Sequence, residues 1–179
     1  NITSGAEEND EKRLFVISAG NVQPNEFGSS PYPEANRLHS VESPGQSWNA
    51  ITVGAYSDDS TISDPVFHGF TPLAKAGALS PYSSTSSTWD KKWPIKPEVL
   101  FNGGNVASNG TDYDACSDLS LLTTNYQPLR KLFSTIWATS AATAQAAYFC
   151  AQLFSEYPDL WPETARALMI HSASWTQEM

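Results

Sequence analysis

Cysteine is scarce: Cys116 and Cys150 are the only two in a chain of 179 residues, too few for a disulfide scaffold. No pattern pairs them, and we read them as free, buried thiols. Basic residues are also few. Ten Lys and Arg stand against 19 Asp and Glu, for a formal net charge of −9. That balance argues against a nucleic-acid-binding surface, which needs clustered Lys and Arg to displace counterions. No apolar run reaches the roughly 18 residues that cross a bilayer; the stretch 141–154 is broken by Thr143, Gln145 and Gln152. Phosphate-cradling glycine motifs, zinc-type Cys/His spacings and a Gly-x-Ser-x-Gly elbow are all missing, so no nucleotide, zinc or α/β-hydrolase site is read. No cofactor and no membrane partner is expected.

The chain opens at Asn1 with neither an initiator Met nor a signal peptide, and we expect it to be a piece of a longer protein. The lack of a cysteine framework tilts the compartment toward the cytoplasm. Asn1-Ile2-Thr3 and Asn109-Gly110-Thr111 match the glycosylation tripeptide, a pattern with meaning only in a secreted eukaryotic protein.

What is present reads as one α/β unit. Hydrophobic residues make up 40% and charged residues 16%, a globular balance. Residues 1–12 are polar and acidic and are expected to be a flexible end. Leu14-Phe15-Val16-Ile17, Ala50-Ile51-Thr52-Val53-Gly54-Ala55 and Lys96-Pro97-Glu98-Val99-Leu100-Phe101 are short β-prone runs that stop at Gly or Asn. Residues 119–123 suggest another brief strand. Residues 22–46 and 56–88 are rich in Pro, Gly, Asn and Ser and read as long loops, and 106–118 as a polar connection. Residues 139–156 hold no Pro or Gly and predict a helix, and 162–172 predict a second with Pro162 in its first turn. Alanines at 141, 142, 144, 146, 147 and 151 give the first helix small side chains on nearly every face, so it is expected to be buried all round.

Two places attract chemistry. Ser140 stands at the entrance of the Ala-rich helix, where unpaired N–H groups favour an oxyanion; taken alone, the segment reads first as an ordinary Ser or Thr cap on a core helix, a role open to Thr139 as well. Ser18-Ala19-Gly20-Asn21 ends a buried strand, where α/β sheets form sites, and Gly-Asn is also ordinary turn chemistry. Asp112, Asp114 and Asp118 are close in sequence, but lack the glycine turn and closing Glu of a known calcium loop and read as solvated acids. Trp89, Trp93 and Trp137 read as core or cleft walls.

In order, these segments resemble the subtilisin-like serine peptidases, the subtilases. Residues 14–21 look like that family's strand leading to its oxyanion asparagine, and Trp48-Asn49-Ala50-Ile51-Thr52-Val53-Gly54-Ala55 like the strand that comes after it. Leu79-Ser80-Pro81-Tyr82-Ser83-Ser84 resembles its serine-rich turn, and Lys96-Pro97-Glu98-Val99 its Lys-Pro-Asp-Val strand. Ile136-Trp137-Ala138-Thr139-Ser140-Ala141-Ala142-Thr143-Ala144 resembles the nucleophile motif Gly-Thr-Ser-Met-Ala-Ser-Pro, and residues 161–173 the terminal helix. The resemblance implies a layered fold, with a mostly parallel sheet and a buried central helix that starts at the nucleophile serine. It implies Ser140 as nucleophile and Asn21 as oxyanion donor, acting on protein or peptide substrates.

The sequence departs from that pattern. Ala138 replaces the motif's Gly, Ala141 its Met, Thr143 its second Ser and Ala144 its Pro, and Gln145 stands where His commonly follows. The family's Asp-[Ser/Thr]-Gly and His-Gly-Thr segments have no counterpart in residues 1–12, and His39, His68 and His171 lack their context. The expectation is therefore that residues 1–179 are the C-terminal portion of one catalytic domain. The triad Asp and His would come from a missing N-terminal part, and the chain alone would be inactive. The alternative is a catalytically dead, subtilase-like binding module.

Overall fold

The structure is a computed structural model that describes residues 12–179; the expected flexible end at 1–12 and the tripeptide at Asn1 fall outside those residues except for Lys12. The elements run β1 (Val16–Ser18), α1 (Glu34–Leu38), β2 (Ile51–Tyr56), β3 (Thr71–Pro72), β4 (Val99–Asn102), β5 (Val106–Ser108), β6 (Tyr113–Ala115), β7 (Leu121–Thr124), β8 (Phe133–Ile136), α2 (Ala138–Glu156) and α3 (Pro162–Ser172). Strands β1, β2 and β4 form a parallel sheet in that order, in register Val16 to Ile51 and Val53 to Val99. The architecture is mixed α/β with a parallel sheet. The expectation of a mostly parallel arrangement holds for that sheet alone: β3, β5 and β6 form an antiparallel sheet, and β7 with β8 an antiparallel ribbon.

The parallel strands are apolar without alternation because both faces are covered. On one face, Ile51, Val53, Ala55 and Val99 pack against Ala142, Ala146 and Cys150 of α2 and Met169 of α3. Ala142, Ala146 and Cys150 recur every four residues, so one stripe of α2 meets the sheet. The same spacing corrects the expectation of a helix buried all round. The described residues supply a sheet on one side only, and Ala144, Ala147, Tyr148 and Ala151 face solvent. The other face of the sheet meets the serine-rich turn. A side chain at Gly54 would lie 2.5 Å from Pro97 Cγ and 2.8 Å from Ser83 Oγ, which explains glycine within a central strand.

Lys96, ahead of β4, is fully buried as a side chain; its ammonium donates to the Ser47 and Ala50 carbonyls at 2.8 and 3.2 Å and to Glu98 Oε1 at 2.6 Å. Arg166 of α3 reaches the same oxygen at 2.9 Å. Burial lowers the Lys96 pKa against the pull of Glu98. A charge this deep persists because it is paired and hydrogen-bonded, and the pair ties the loop before β2, β4 and α3 into one unit. Lys12 lies over the Trp161 ring at 3.2 Å.

Some elements run against the sequence reading. Residues 22–46 contain a 3₁₀ turn, Pro24–Gly28, and α1; Pro24 presets the turn, and the buried Asn36 amide donates to the carbonyls of Pro81 and Ser83 at 2.7 and 2.9 Å. The expected polar connection 106–118 is the β5–β6 hairpin, closed by the four-residue loop 109–112 in which Gly110 takes φ 97. Both cysteines are free and buried. Among the described residues no helix is long and apolar enough to cross a membrane.

Candidate active site

Beyond β1 the ladder continues for one residue, with Ala19 N–H donating to Val53 O at 2.9 Å. Gly20 then adopts φ 100, a conformation that glycine enters without steric cost. The serine-rich turn clamps the residues on either side of Asn21: Ser84 N–H donates to Gly20 O at 3.1 Å and Val22 N–H to Tyr82 O at 2.9 Å. Asn21 therefore sits on a backbone held at both ends.

The entrance of α2 is built from the other end of the sequence. Ala138 N–H donates to Gly103 O at 2.8 Å, and a side chain on Gly103 would lie 2.9 Å from the Ala138 carbonyl. Ala138 has φ 73, the sole non-glycine residue with positive φ among the described residues. An L-residue there carries roughly 1–2 kcal/mol of steric cost. This is the turn in which the sequence departs from glycine.

The helix begins at Ala138 with Trp137 as N-cap and no side-chain capping bond. The cap reading of Thr139 and Ser140 is thus corrected: both lie inside the first turn. It likewise corrects the expectation that the helix starts at the serine itself. Thr139 is buried, and its N–H and hydroxyl donate to Asn21 Oδ1 at 3.0 and 2.6 Å. Because the Thr139 N–H requires an acceptor, the oxygen of the Asn21 amide must face it. Its Nδ2 is turned elsewhere and has no partner among the described residues. Ser140, the next residue, is exposed, with no hydrogen bond to its hydroxyl among the described residues. Its N–H belongs to the first-turn donors that have no intrahelical acceptor. Two residues 119 positions apart in sequence are brought to one helix entrance.

Sequence reasoning missed the part played by Thr139, which it took for a cap; the Thr-Ser pair in the motif was the available signal. Gln145, a departure from the family pattern, donates from Nε2 to Asn102 O at 2.6 Å and ties α2 to the end of β4. Ala144 simply faces solvent.

No histidine hydrogen-bonds to Ser140 among the described residues. His39 meets Ser84 Oγ at 3.1 Å through Nδ1 and lies 3.6 Å from Glu26 through Nε2; His68 and His171 are exposed. The three acids near residue 115 are occupied locally. Asp118 Oδ2 accepts from Ser63 N–H, Ser63 Oγ and Asp64 N–H at 2.6, 2.7 and 2.9 Å, and these bonds hold its pKa below the usual value. Asp112 accepts from Asn109 Nδ2 at 2.9 Å, and Asp114 from the Ala115 N–H at 2.7 Å. Among the described residues no three His, Cys, Asp or Glu side chains are placed to hold a metal ion. Trp89 and Trp93 stack edge to face at 6.1 Å, and Trp93 and Trp137 are partly exposed.

Among known proteins, the model of the subtilase family matches residues 1–178. The uncharacterized protein y4bN of Sinorhizobium fredii (strain NBRC 101917 / NGR234) is 26% identical over 185 residues, covering 92% of this chain and 41% of that protein. The chain thus spans less than half the length of this curated relative. No solved structure matches it significantly.

Proposed function

We propose that this chain, which belongs to the subtilase family, carries the nucleophile and the oxyanion donors of a serine-type endopeptidase that cleaves peptide bonds through an acyl-enzyme. The observation that supports the reading is the double hydrogen bond from Thr139 to Asn21 Oδ1, which holds the Asn21 carboxamide against the residue that precedes an exposed serine at a helix entrance. Acyl transfer needs such an arrangement: a hydroxyl that can reach a carbonyl carbon, and fixed donors where negative charge develops on its oxygen.

In this mechanism Ser140 Oγ attacks the scissile carbonyl and gives its proton to a general base. The oxyanion accepts from the Ser140 N–H and Asn21 Nδ2. The C–N bond then breaks, the amine leaves with the proton, and water releases the acid product from the ester on Ser140. A serine hydroxyl at neutral pH is a poor nucleophile without a base, and none of the described histidines hydrogen-bonds to Ser140. The base and its orienting carboxylate belong, in this proposal, to an N-terminal part of the same catalytic domain, and residues 1–179 form its C-terminal portion, inactive alone. The match covers 41% of the y4bN protein's length, which leaves room for such a part in a longer protein.

A second reading, a catalytically dead binding module, draws support from the strained Ala138 where the family's glycine gives a free turn. The test is hydrolysis of an unfolded, fluorophore-quenched protein by the intact parent protein. Turnover that is lost in Ser140→Ala supports the endopeptidase. A folded parent protein with no turnover, or turnover that survives Ser140→Ala, rejects it.

A further inference from the structure

The ribbon of β7 and β8 stands apart from the rest of the molecule in both charge and surface. Residues 121–137 contain Arg130 and Lys131 and no acid, in a chain with 19 Asp and Glu. Neither cation has an ion-pair partner among the described residues. The pairing Leu122 to Thr135 and Thr124 to Phe133 places Leu122 and Phe133 on one face, and that face is exposed. At the tip, Tyr126 and Leu129 are fully or almost fully exposed, at 88% and 102%. So much apolar surface on a protruding element marks a binding site.

The tip is ordered by its own bonds. Asn125 N–H donates to Leu132 O at 3.0 Å, Gln127 N–H to Asn125 Oδ1 at 2.8 Å, and the Arg130 and Lys131 N–H groups to Gln127 O at 2.9 and 3.1 Å. Leu129, Arg130 and Lys131 are therefore presented on a fixed turn. The base of the ribbon is equally defined: β8 ends at Ile136, and Ser140 follows four residues later. An extended chain laid along the ribbon from Leu129 to Trp137 covers at most about 26 Å, or about eight residues.

We propose that this ribbon is a docking site that captures acidic segments of polypeptide substrates, interspersed with apolar residues, about eight residues from the bond presented to Ser140. The inference rests on the endopeptidase reading and names its substrate class. Charge complementarity sets the class, because two unpaired cations flanked by exposed Leu and Tyr side chains attract carboxylates and bury apolar neighbours with them. Among the described residues β7 and β8 pair only with each other, so each has an outer edge along which an extended substrate can add as a strand.

The test uses the intact parent protein and two fluorogenic peptides, alike at the cleaved bond, that end eight residues away in an Asp/Leu tail or a Lys/Leu tail. The Asp/Leu peptide should be cleaved with a kcat/KM about fivefold higher at low salt, residing in KM, as befits exposed charges. The preference should fade as added salt shortens the screening length. In the double variant R130E/K131E it should vanish or reverse, while a short peptide without a tail is cleaved unchanged. Equal handling of both tails, or a preference that survives R130E/K131E, overturns the proposal. So does a dimer that R130E/K131E dissociates, since the ribbon is then a subunit interface. Fluorescence anisotropy of the same peptides on the Ser140→Ala protein reads the ribbon without turnover. Tail-selective binding with no hydrolysis by the unmutated protein rejects the endopeptidase and keeps the acidic-segment site; hydrolysis with no tail selectivity does the reverse.

Discussion

The side-chain oxygen of Asn21 accepts two hydrogen bonds from Thr139, one from its N–H at 3.0 Å and one from its hydroxyl at 2.6 Å. The orientation of the Asn21 amide is thereby fixed before any substrate arrives. An oxyanion donor acts through such fixing, since nothing need reorganise as charge develops.

In the proposed role as oxyanion donor, Asn21 makes its Nδ2 bond chiefly in the transition state, so Asn21→Ala should lower kcat of the intact protein far more than it alters KM. The expected loss is about 10²–10³-fold, a magnitude carried over from the corresponding asparagine of subtilisin. Steady-state kinetics on a short peptide decide the point. A loss confined to KM would place Asn21 in substrate binding instead.

Thr139→Val should lower kcat about tenfold, while Thr139→Ser should remain close to the unmutated protein. The hydroxyl contributes one hydrogen bond, worth about 0.5–1.5 kcal/mol, to holding the amide, and serine retains it. Equal kinetics for Val and Ser would mean that the backbone N–H alone orients Asn21.

Ala138→Gly should stabilise the protein by about 1 kcal/mol. The left-handed conformation at φ 73 costs an L-residue roughly 1–2 kcal/mol, and the greater freedom of glycine in the unfolded chain returns part of the gain. A higher urea midpoint at constant slope is the expected result. A lower midpoint would show that the Cβ of Ala138, packed beside Val106 and Tyr82, contributes more than the strain removes.

Asp118→Asn should lower the melting temperature at neutral pH, with the difference shrinking in acid. The folded carboxylate is held below its ordinary pKa of 3.8 by bonds from Ser63 and Asp64. Its contribution is therefore present above the unfolded pKa and is lost as pH falls through the lower folded value. Thermal melts of both proteins at pH 7 and below pH 3 test this; a difference independent of pH would assign the effect to something other than the charge.

The backbone of this site was legible in the sequence wherever local chemistry decides. The start of α3 follows from Pro162 and β2 from the apolar run at 50–55, although the strand passes through Gly54 and ends at Tyr56. The association of Asn21 with Ser140 came from the order of motifs, since no local pattern links residues 119 apart. What escaped depends on tertiary partners. The ribbon strand β8, Phe-Ser-Thr-Ile, is too short and mixed to announce itself, and exists through its pairing with β7. Asn36 looked like loop chemistry because its carbonyl acceptors lie more than 40 residues away. The solvent-facing side of α2 was misjudged because alanine suits burial and exposure alike, so its pattern cannot say which faces are covered.

Treating the intact parent protein with a fluorophosphonate and locating the adduct by peptide mass spectrometry decides the role of Ser140. A single phosphonyl group is expected on Ser140, absent in Ser140→Ala and formed more slowly in Asn21→Ala. A folded protein that takes up no phosphonate, or takes it up at another residue, would contradict that role.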